Sequence, residues 1–361
     1  MAISGYFSDS YSDARTKFRD ACVEAGALLE SHAHPHPGPD GETLTTDIAW
    51  IGPRDAEKVL LTISATHGVE GYCGSGAQVA TLRSGLLAEL PPDIAVMMIH
   101  AINPHGFAWS RRVTEGNVDL NRNYADFASP LPDNPGYREL HDAICPKDWT
   151  PEALAEAQTV IEAYRAEHGP WGLQSAVASG QYSHPDGLFY GGQGPVWSRE
   201  TFIKALQSHL GAAKAVASID YHTGLGPYGY GERICVHPAD SNGDARVAEW
   251  YGDDFTRPTA GTAVSPQLTG TSINGIAGAL PHAAITGVTL EYGTRAIEEV
   301  LQSLRADNWL HLHGDLDTAL GRDIKAEIRR CFYPDADDWK EAVWERGLET
   351  QRLAIAGLAG S

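Results

Sequence analysis

The sequence predicts an α/β fold, with a single domain over residues 1–361 built on a mixed, mostly parallel sheet that helices cover on both faces. Three observations lead there. Short continuous apolar runs such as KVLLTISAT (58–66) and IAVMMIHAI (94–102) are what strands buried on both faces require. They alternate with segments whose apolar residues recur every three or four positions, such as SRETFIKALQSHLG (198–211). No internal repeat interrupts this order, and no Pro, Gly or Ser stretch is long enough to divide domains. Strands alternating with helices build parallel sheets, whose functional residues collect at the carboxyl ends of the strands.

In chain order, YSDARTKFRDACVEAGALLESH (11–32) reads as an amphipathic helix, AHPHPGPDGE (33–42) as a loop and TLTTDIAWIG (43–52) as a strand. The run 58–66 is the next strand, GAQVATLRSGLLAEL (76–90) a helix and 94–102 a strand. PEALAEAQTVIEAYRAEHG (151–169) and 198–211 read as helices, AVASIDYHTG (215–224) and AAITGVTLEYGT (283–294) as strands. AIEEVLQSLRADNWLHLHG (296–314) and DDWKEAVWERGLETQRLAIAG (337–357) close the chain as helices.

Composition narrows the function. The 47 acidic residues against 27 basic ones give a formal charge of −20, and no Lys/Arg-rich run offsets it, so neither nucleic acid nor an anionic membrane is expected as a partner. No basic segment followed by an apolar one opens the chain and no stretch approaches bilayer length, so a cytoplasmic location is expected. The five cysteines are scattered and lack a CxxC pair, which leaves any metal to histidine and carboxylate. Oligomeric state is not readable from the sequence.

ISATHGVEGYCGSG (63–76) ends an apolar run in His67, puts Glu70 three residues later and then strips the turn of bulk. His222 follows AVASID, and Glu291 lies near the end of AAITGVTLE. Three strand ends therefore carry metal-competent side chains. His67, Glu70 and His222 form a three-ligand set with a position left for water, and two imidazoles with one carboxylate suit zinc, expected at one ion per chain. Glu291 is then a spare carboxylate, placed to take a proton from that water and return it to the leaving group. Gly68, Gly71, Gly74 and Gly76 are expected to allow a tight turn through unusual φ and to leave room beside the ion. A second block, NPHGFAWSRRVTEGNVDLNRNYADF (103–127), combines a turn signal, the pair Arg111–Arg112 and DLNRN. Its arginines read either as solvated surface charges or, in the Asn121–Arg122 pair, as a bidentate grip on a substrate carboxylate.

In that order, HxxE, NPxG with a downstream arginine and DLNRN, a distant histidine and a TLE segment resemble the zinc metallocarboxypeptidase superfamily. That group is the carboxypeptidase A-like fold, which also includes aspartoacylase-type deacylases. IDYHTGLGPYG, PDGLFYGG and LRADNWLHLHG further resemble an uncharacterised bacterial branch of it, catalogued as a domain of unknown function. The resemblance spans about residues 60–295. It implies an eight-stranded mixed sheet flanked by helices, with His67, Glu70 and His222 as zinc ligands and Glu291 as general base. It puts Arg112 where the family carries a carbonyl-polarising arginine, and Asn121 and Arg122 where it clamps a terminal carboxylate. The implied activity is zinc-dependent hydrolysis of an amide bond in a small peptide or N-acyl amino acid with a free carboxylate. The alternatives are a zinc deacylase or esterase whose substrate lacks that carboxylate, and a catalytically silent carboxylate-binding module. Glu291 argues against the silent module, because a binder has no use for a spare buried charge beside the ion.

Family peptidases add a tyrosine on a mobile loop, for which Tyr228, Tyr230 and Tyr292 are the candidates. His184 and Asp186, in the long Gly- and aromatic-rich stretch 179–198, are candidates for the pocket wall. Asp220, two residues before His222, shares its strand face and is placed to orient it. His32, His34 and His36 read as a solvated loop and His311 and His313 as a helix end. Glu232 with its neighbouring glycines reads as a flap or as a plain turn.

Overall fold

The computed structural model describes residues 3–361. Its strands are β1 (Leu28–Ala33), β2 (Thr45–Ile51), β3 (Lys58–Ile63), β4 (Ile94–His100), β5 (Ala215–Tyr228), β6 (Gly231–Cys235) and β7 (Ala284–Gly293). They form one sheet in the order β1-β2-β4-β3-β5-β7-β6. The central strands β4, β3, β5 and β7 are parallel, while β1, β2 and β6 join antiparallel at the two sides. The sheet is therefore mixed with a parallel centre, as the alternation predicts, but among the described residues it has seven strands rather than eight. The span between β4 and β5, long enough for another strand, is taken up by helices and loops.

The helices are α1 (Tyr11–Glu24), α2 (Gly71–Arg83), α3 (Pro104–Ala108), α4 (Pro135–Ile144), α5 (Pro151–Ala178), α6 (Trp197–Leu210), α7 (Asn242–Tyr251), α8 (Ser272–Ala279), α9 (Ile297–His313), α10 (Ala319–Phe332) and α11 (Asp337–Gly360). Both sheet faces are covered, and strand alternation sorts the side chains. Leu60, Val96 and Met98 pack on one face with Phe18 of α1, Val79 of α2 and Val343 of α11. Val59, Leu61 and Met97 pack on the other with Phe202 of α6 and Ile276 of α8. A third cluster, with Leu140 of α4, Ile161 of α5, Leu304 of α9 and Ile328 of α10, lies beyond the carboxyl ends of the parallel strands.

Two local expectations are corrected. The helix expected over 11–32 stops at Glu24, because Gly26 turns the chain at φ 68°, and residues 28–33 pair with β2 as an outer strand. The glycines after His67 are not there for φ: none of Gly68, Gly71, Gly74 and Gly76 has positive φ, and the left-handed residue in this turn is Ala65. They serve close approach instead. A Cβ on Gly68 would lie 1.9 Å from the Gly106 carbonyl carbon, and one on Gly74 would lie 2.7 Å from Ser64 Cβ. Bare positions let α2 lie directly against β3 and the α3 turn, which is why Gly71–Leu82 is buried all round.

Candidate functional site

His67 and Glu70 leave β3 in a single 3₁₀ turn that leads into α2, with Glu70 at the cap. Two backbone bonds fix that turn, from Gly68 N to Arg112 O (3.1 Å) and from Val69 N to Arg111 O (2.8 Å), so the HxxE turn and the arginine block are one unit. His222 lies on β5, opposite Glu291 on the parallel strand β7. All four side chains are buried and line one cavity of about 260 Å³ at the carboxyl ends of the parallel strands.

The donor atoms of His67, Glu70 and His222 lie within 4.8 Å of one another. The Nδ1 atoms of the two histidines are 3.2 Å apart; His67 Nδ1 is 2.9 Å from Glu70 Oε1 and His222 Nδ1 is 3.2 Å from Glu70 Oε2. Two imidazole nitrogens and a carboxylate aimed at one point are a donor set that fits a tetrahedral zinc site with one ligand position to spare. Both ring backs are held by carboxylates, a support that fixes orientation and tautomer. Asp119 Oδ1 lies 3.2 Å from His67 Nε2. Asp220 Oδ2 lies 3.1 Å from His222 Nε2, off the line of a good hydrogen bond, and is itself fixed by Ser272 Oγ at 2.6 Å.

Electrostatics separates the carboxylates. Burial alone would raise Glu70, but the charges of His67 and His222 and their hydrogen bonds outweigh it and hold the carboxyl below its usual range. Burial would lower His222, and Asp220 and Glu70 instead raise it well above the usual histidine value. Asp119 is likewise held well below its usual value, against burial, by Arg112, Arg122 and His67. For Glu291 the balance tips the other way: burial and the Glu70 charge outweigh the pull of His222 and Arg112 and push it up to about 8, and Oε1 accepts from Leu225 N at 2.9 Å, leaving Oε2 without a hydrogen bond among the described residues.

Arg112 reaches the cluster itself. Its Nε bonds Asp119 Oδ2 (3.0 Å), its Nη1 lies 3.3 Å from Glu70 Oε1 and its Nη2 lies 2.7 Å from His67 Nε2. Arg122 differs: buried, among the described residues it donates only to the carbonyls of Asn121 (2.9 Å) and Ala178 (2.7 Å), and its Nε has no partner there. Burial lowers its pKa against the pull of Asp119. Asn121 lines the same cavity, with Oδ1 occupied by Ser272 N at 2.9 Å, so its NH₂ remains a free donor. Residues far apart in sequence, His67, Glu70, Arg112, Asn121, Arg122, His222 and Glu291, thus share one cavity.

Other candidates lie elsewhere. His184 stacks on His141 with centroids 4.0 Å apart and, like Asp186, does not line the cavity. Tyr228 and Tyr230 are half exposed and Tyr292 is buried with its hydroxyl on Val343 O, so none of the three supplies a phenol to the cavity. Glu232 is no flap: it is buried in β6, bonded to Thr256 Oγ1 and Val264 N. Sequence reasoning gave no role to Asp119, which grips His67 and Arg112 together. Its place three residues before Arg122 in DLNRN was the available signal.

These features define a mixed α/β protein with a His–Glu–His cluster at the carboxyl ends of parallel strands. Residues 7–346 match the family described as "Protein of unknown function (DUF2817)", and the chain belongs to that family. No curated protein matches it. Among solved structures it is similar to the carboxypeptidase A from Helicoverpa armigera, at 13% identity over 96% of this chain and 74% of that one, with a TM-score of 0.47. It is similar to the ectoine utilization protein EutE (DoeB) from Ruegeria pomeroyi, at 14% identity over 80% of this chain and 67% of that one, TM-score 0.40. It is also similar to the murein-tripeptide amidase MpaA from Escherichia coli O157, at 15% identity over 84% of this chain and 95% of that one, TM-score 0.35. Among the described residues no helix is long and apolar enough to cross a membrane.

Proposed function

We propose that the chain is a zinc-dependent hydrolase that cleaves an amide bond in a small peptide or N-acyl amino acid bearing a free carboxylate. One observation carries the reading: a buried carboxyl, Glu291, faces the same cavity as a converged His–Glu–His trio from which it is excluded. His67, Glu70 and His222 would hold the ion through the two Nδ1 atoms and the Glu70 carboxylate. When bound, zinc would polarise the scissile carbonyl and lower the pKa of a water towards ~7. Glu291 would hold the proton removed from that water at Oε2, the oxygen that Leu225 leaves free, and return it to the leaving amine. Arg112 would present guanidinium donors to the oxygen on which charge develops. Arg122 and the Asn121 NH₂ would hold the substrate carboxylate, the anion that a buried guanidinium with only carbonyl partners lacks.

The test is a set of small peptides and N-acyl amino acids, each as free acid and as amide, assayed on the zinc-loaded protein. Free acids are expected to be cleaved, with amidation lowering kcat/KM by about a hundredfold, the worth of a charge-assisted pair. Arg122→Ala should erase that difference with zinc retained. Equal cleavage of both forms by the wild type would replace this reading with a deacylase or esterase acting on substrates without a terminal carboxylate. Cleavage of neither, with tight binding of free acids, would leave a silent carboxylate binder.

A further inference from the structure

Phe189 belongs neither to the donor trio nor to the arginines, yet its backbone is left-handed, with φ 54°. For a bulky aromatic residue that conformation is strained, and such strain persists only where the surroundings over-determine it. Here they do. The Phe189 carbonyl accepts from Gln181 N (3.1 Å), and the buried Gln181 side chain donates to the carbonyls of His184 (2.8 Å) and Leu188 (3.2 Å). The next carbonyl, that of Tyr190, accepts from Asp119 N at 2.7 Å, which ties the aromatic turn to the carboxylate that grips His67 and Arg112.

The ring held in this way serves two cations. The guanidinium carbon of Arg112 lies 5.0 Å from its centroid and that of Arg122 lies 5.8 Å from it, both within reach of the negative ring face. Phe189 is buried and lines the cavity beside them. A carboxylate in its place would stabilise both guanidiniums but would also neutralise them. An aromatic face stabilises both cations and leaves the charge of Arg122, which hydrogen-bonds only carbonyls, for an incoming anion.

We infer that Phe189 is a positioning residue, a cation–π platform that holds the Arg112 and Arg122 guanidiniums side by side, Arg122 toward a substrate carboxylate and Arg112 toward the scissile carbonyl. The inference rests on the carboxylate-clamp reading of Arg122 given above. Its test uses zinc-loaded protein in a Glu291→Gln background, with N-acetyl-leucine and its amide as probes and calorimetry as the readout. The preference for the acid should fall about tenfold in Phe189→Leu, which keeps apolar bulk without a ring face, and should be restored in Phe189→Tyr. Affinity for the amide and zinc content should move little; Tm falls in Phe189→Leu through lost core packing, and a packing role alone would lower acid and amide affinity together. Pentafluorophenylalanine at position 189 keeps the shape and inverts the ring's electrostatics, and decides the matter should Phe189→Leu not fold. It too should lose the acid preference. An acid preference unchanged by Leu or by fluorination overturns the platform and leaves the clamp reading standing. No acid preference in the Glu291→Gln parent overturns the clamp reading and the platform with it.

Discussion

Glu70, at the head of α2, and Glu291, near the end of β7, face one cavity from opposite electrical surroundings. Glu70 sits among two histidines and an arginine and accepts from Thr223 N at 3.0 Å, so its carboxyl stays ionised despite burial. Glu291 accepts from one backbone donor, and burial with the repulsion of Glu70 outweighs the pull of His222 and Arg112, so its carboxyl is pushed up to about 8. Identical side chains, both buried, thus suit different tasks. The first suits a permanent ligand, which must stay anionic, and the second suits a group that exchanges a proton near neutrality. A bound cation would pull Glu291 down toward the working range of a base, since the ion is the largest charge in such a site.

Exchanging each carboxylate for its amide puts the contrast to the sharpest test. Glu70→Gln should abolish stoichiometric zinc and, with it, all turnover. Elemental analysis that finds full zinc in this variant would break the distinction outright. Glu291→Gln should keep zinc while turnover falls by about 10²–10⁴, the scale of a positioned proton transfer. Loss of zinc there would recast Glu291 as a ligand.

A smaller effect is expected one shell further out. Asp119→Asn removes the anion behind His67 and should weaken zinc affinity by about 10–100-fold, measured by competition with a chelator, with the fold intact. The smallest effect concerns pH and the zinc-free protein. The folded pKa of Glu291 lies above its ordinary 4.5, so the stability it contributes is complete below that value and is lost as pH rises through about 8. Glu70, shifted downward, works the other way: its contribution is present above the ordinary range and is lost in acid. Chelated wild type should therefore lose Tm relative to Glu291→Gln between about pH 5 and 8, and relative to Glu70→Gln on acidification below the ordinary carboxylate range. Parallel Tm curves for the three proteins would show that the two environments do not differ in the folded state.

Much of the frame was legible because it is local. Strands 58–63 and 94–100 declare themselves by unbroken apolar runs, and the HxxE turn by its place at the end of one. β1 was not legible: as an outer strand paired on one side it carries Glu and Ser on exposed positions and a half-buried His, and only its pairing with β2 makes it a strand. The glycines after His67 were visible as glycines, but their reason was not. Close approach is a relation to Gly106 and Ser64, residues on other elements of the fold, whereas φ is a property of one residue.

The same division runs through the site. The sequence by itself determined which side chains could bind a cation or an anion, His67, Glu70, His222, Glu291, Arg112, Asn121 and Arg122, because donor chemistry is written in residue type and spacing. Only the tertiary structure decided which carboxylate stays charged, that Arg122 hydrogen-bonds carbonyls and not a carboxylate, and that a strained Phe189 lies beneath both arginines. Those properties depend on burial and on distances between residues as much as 221 positions apart, from Glu70 to Glu291, and a one-dimensional pattern holds no such distances.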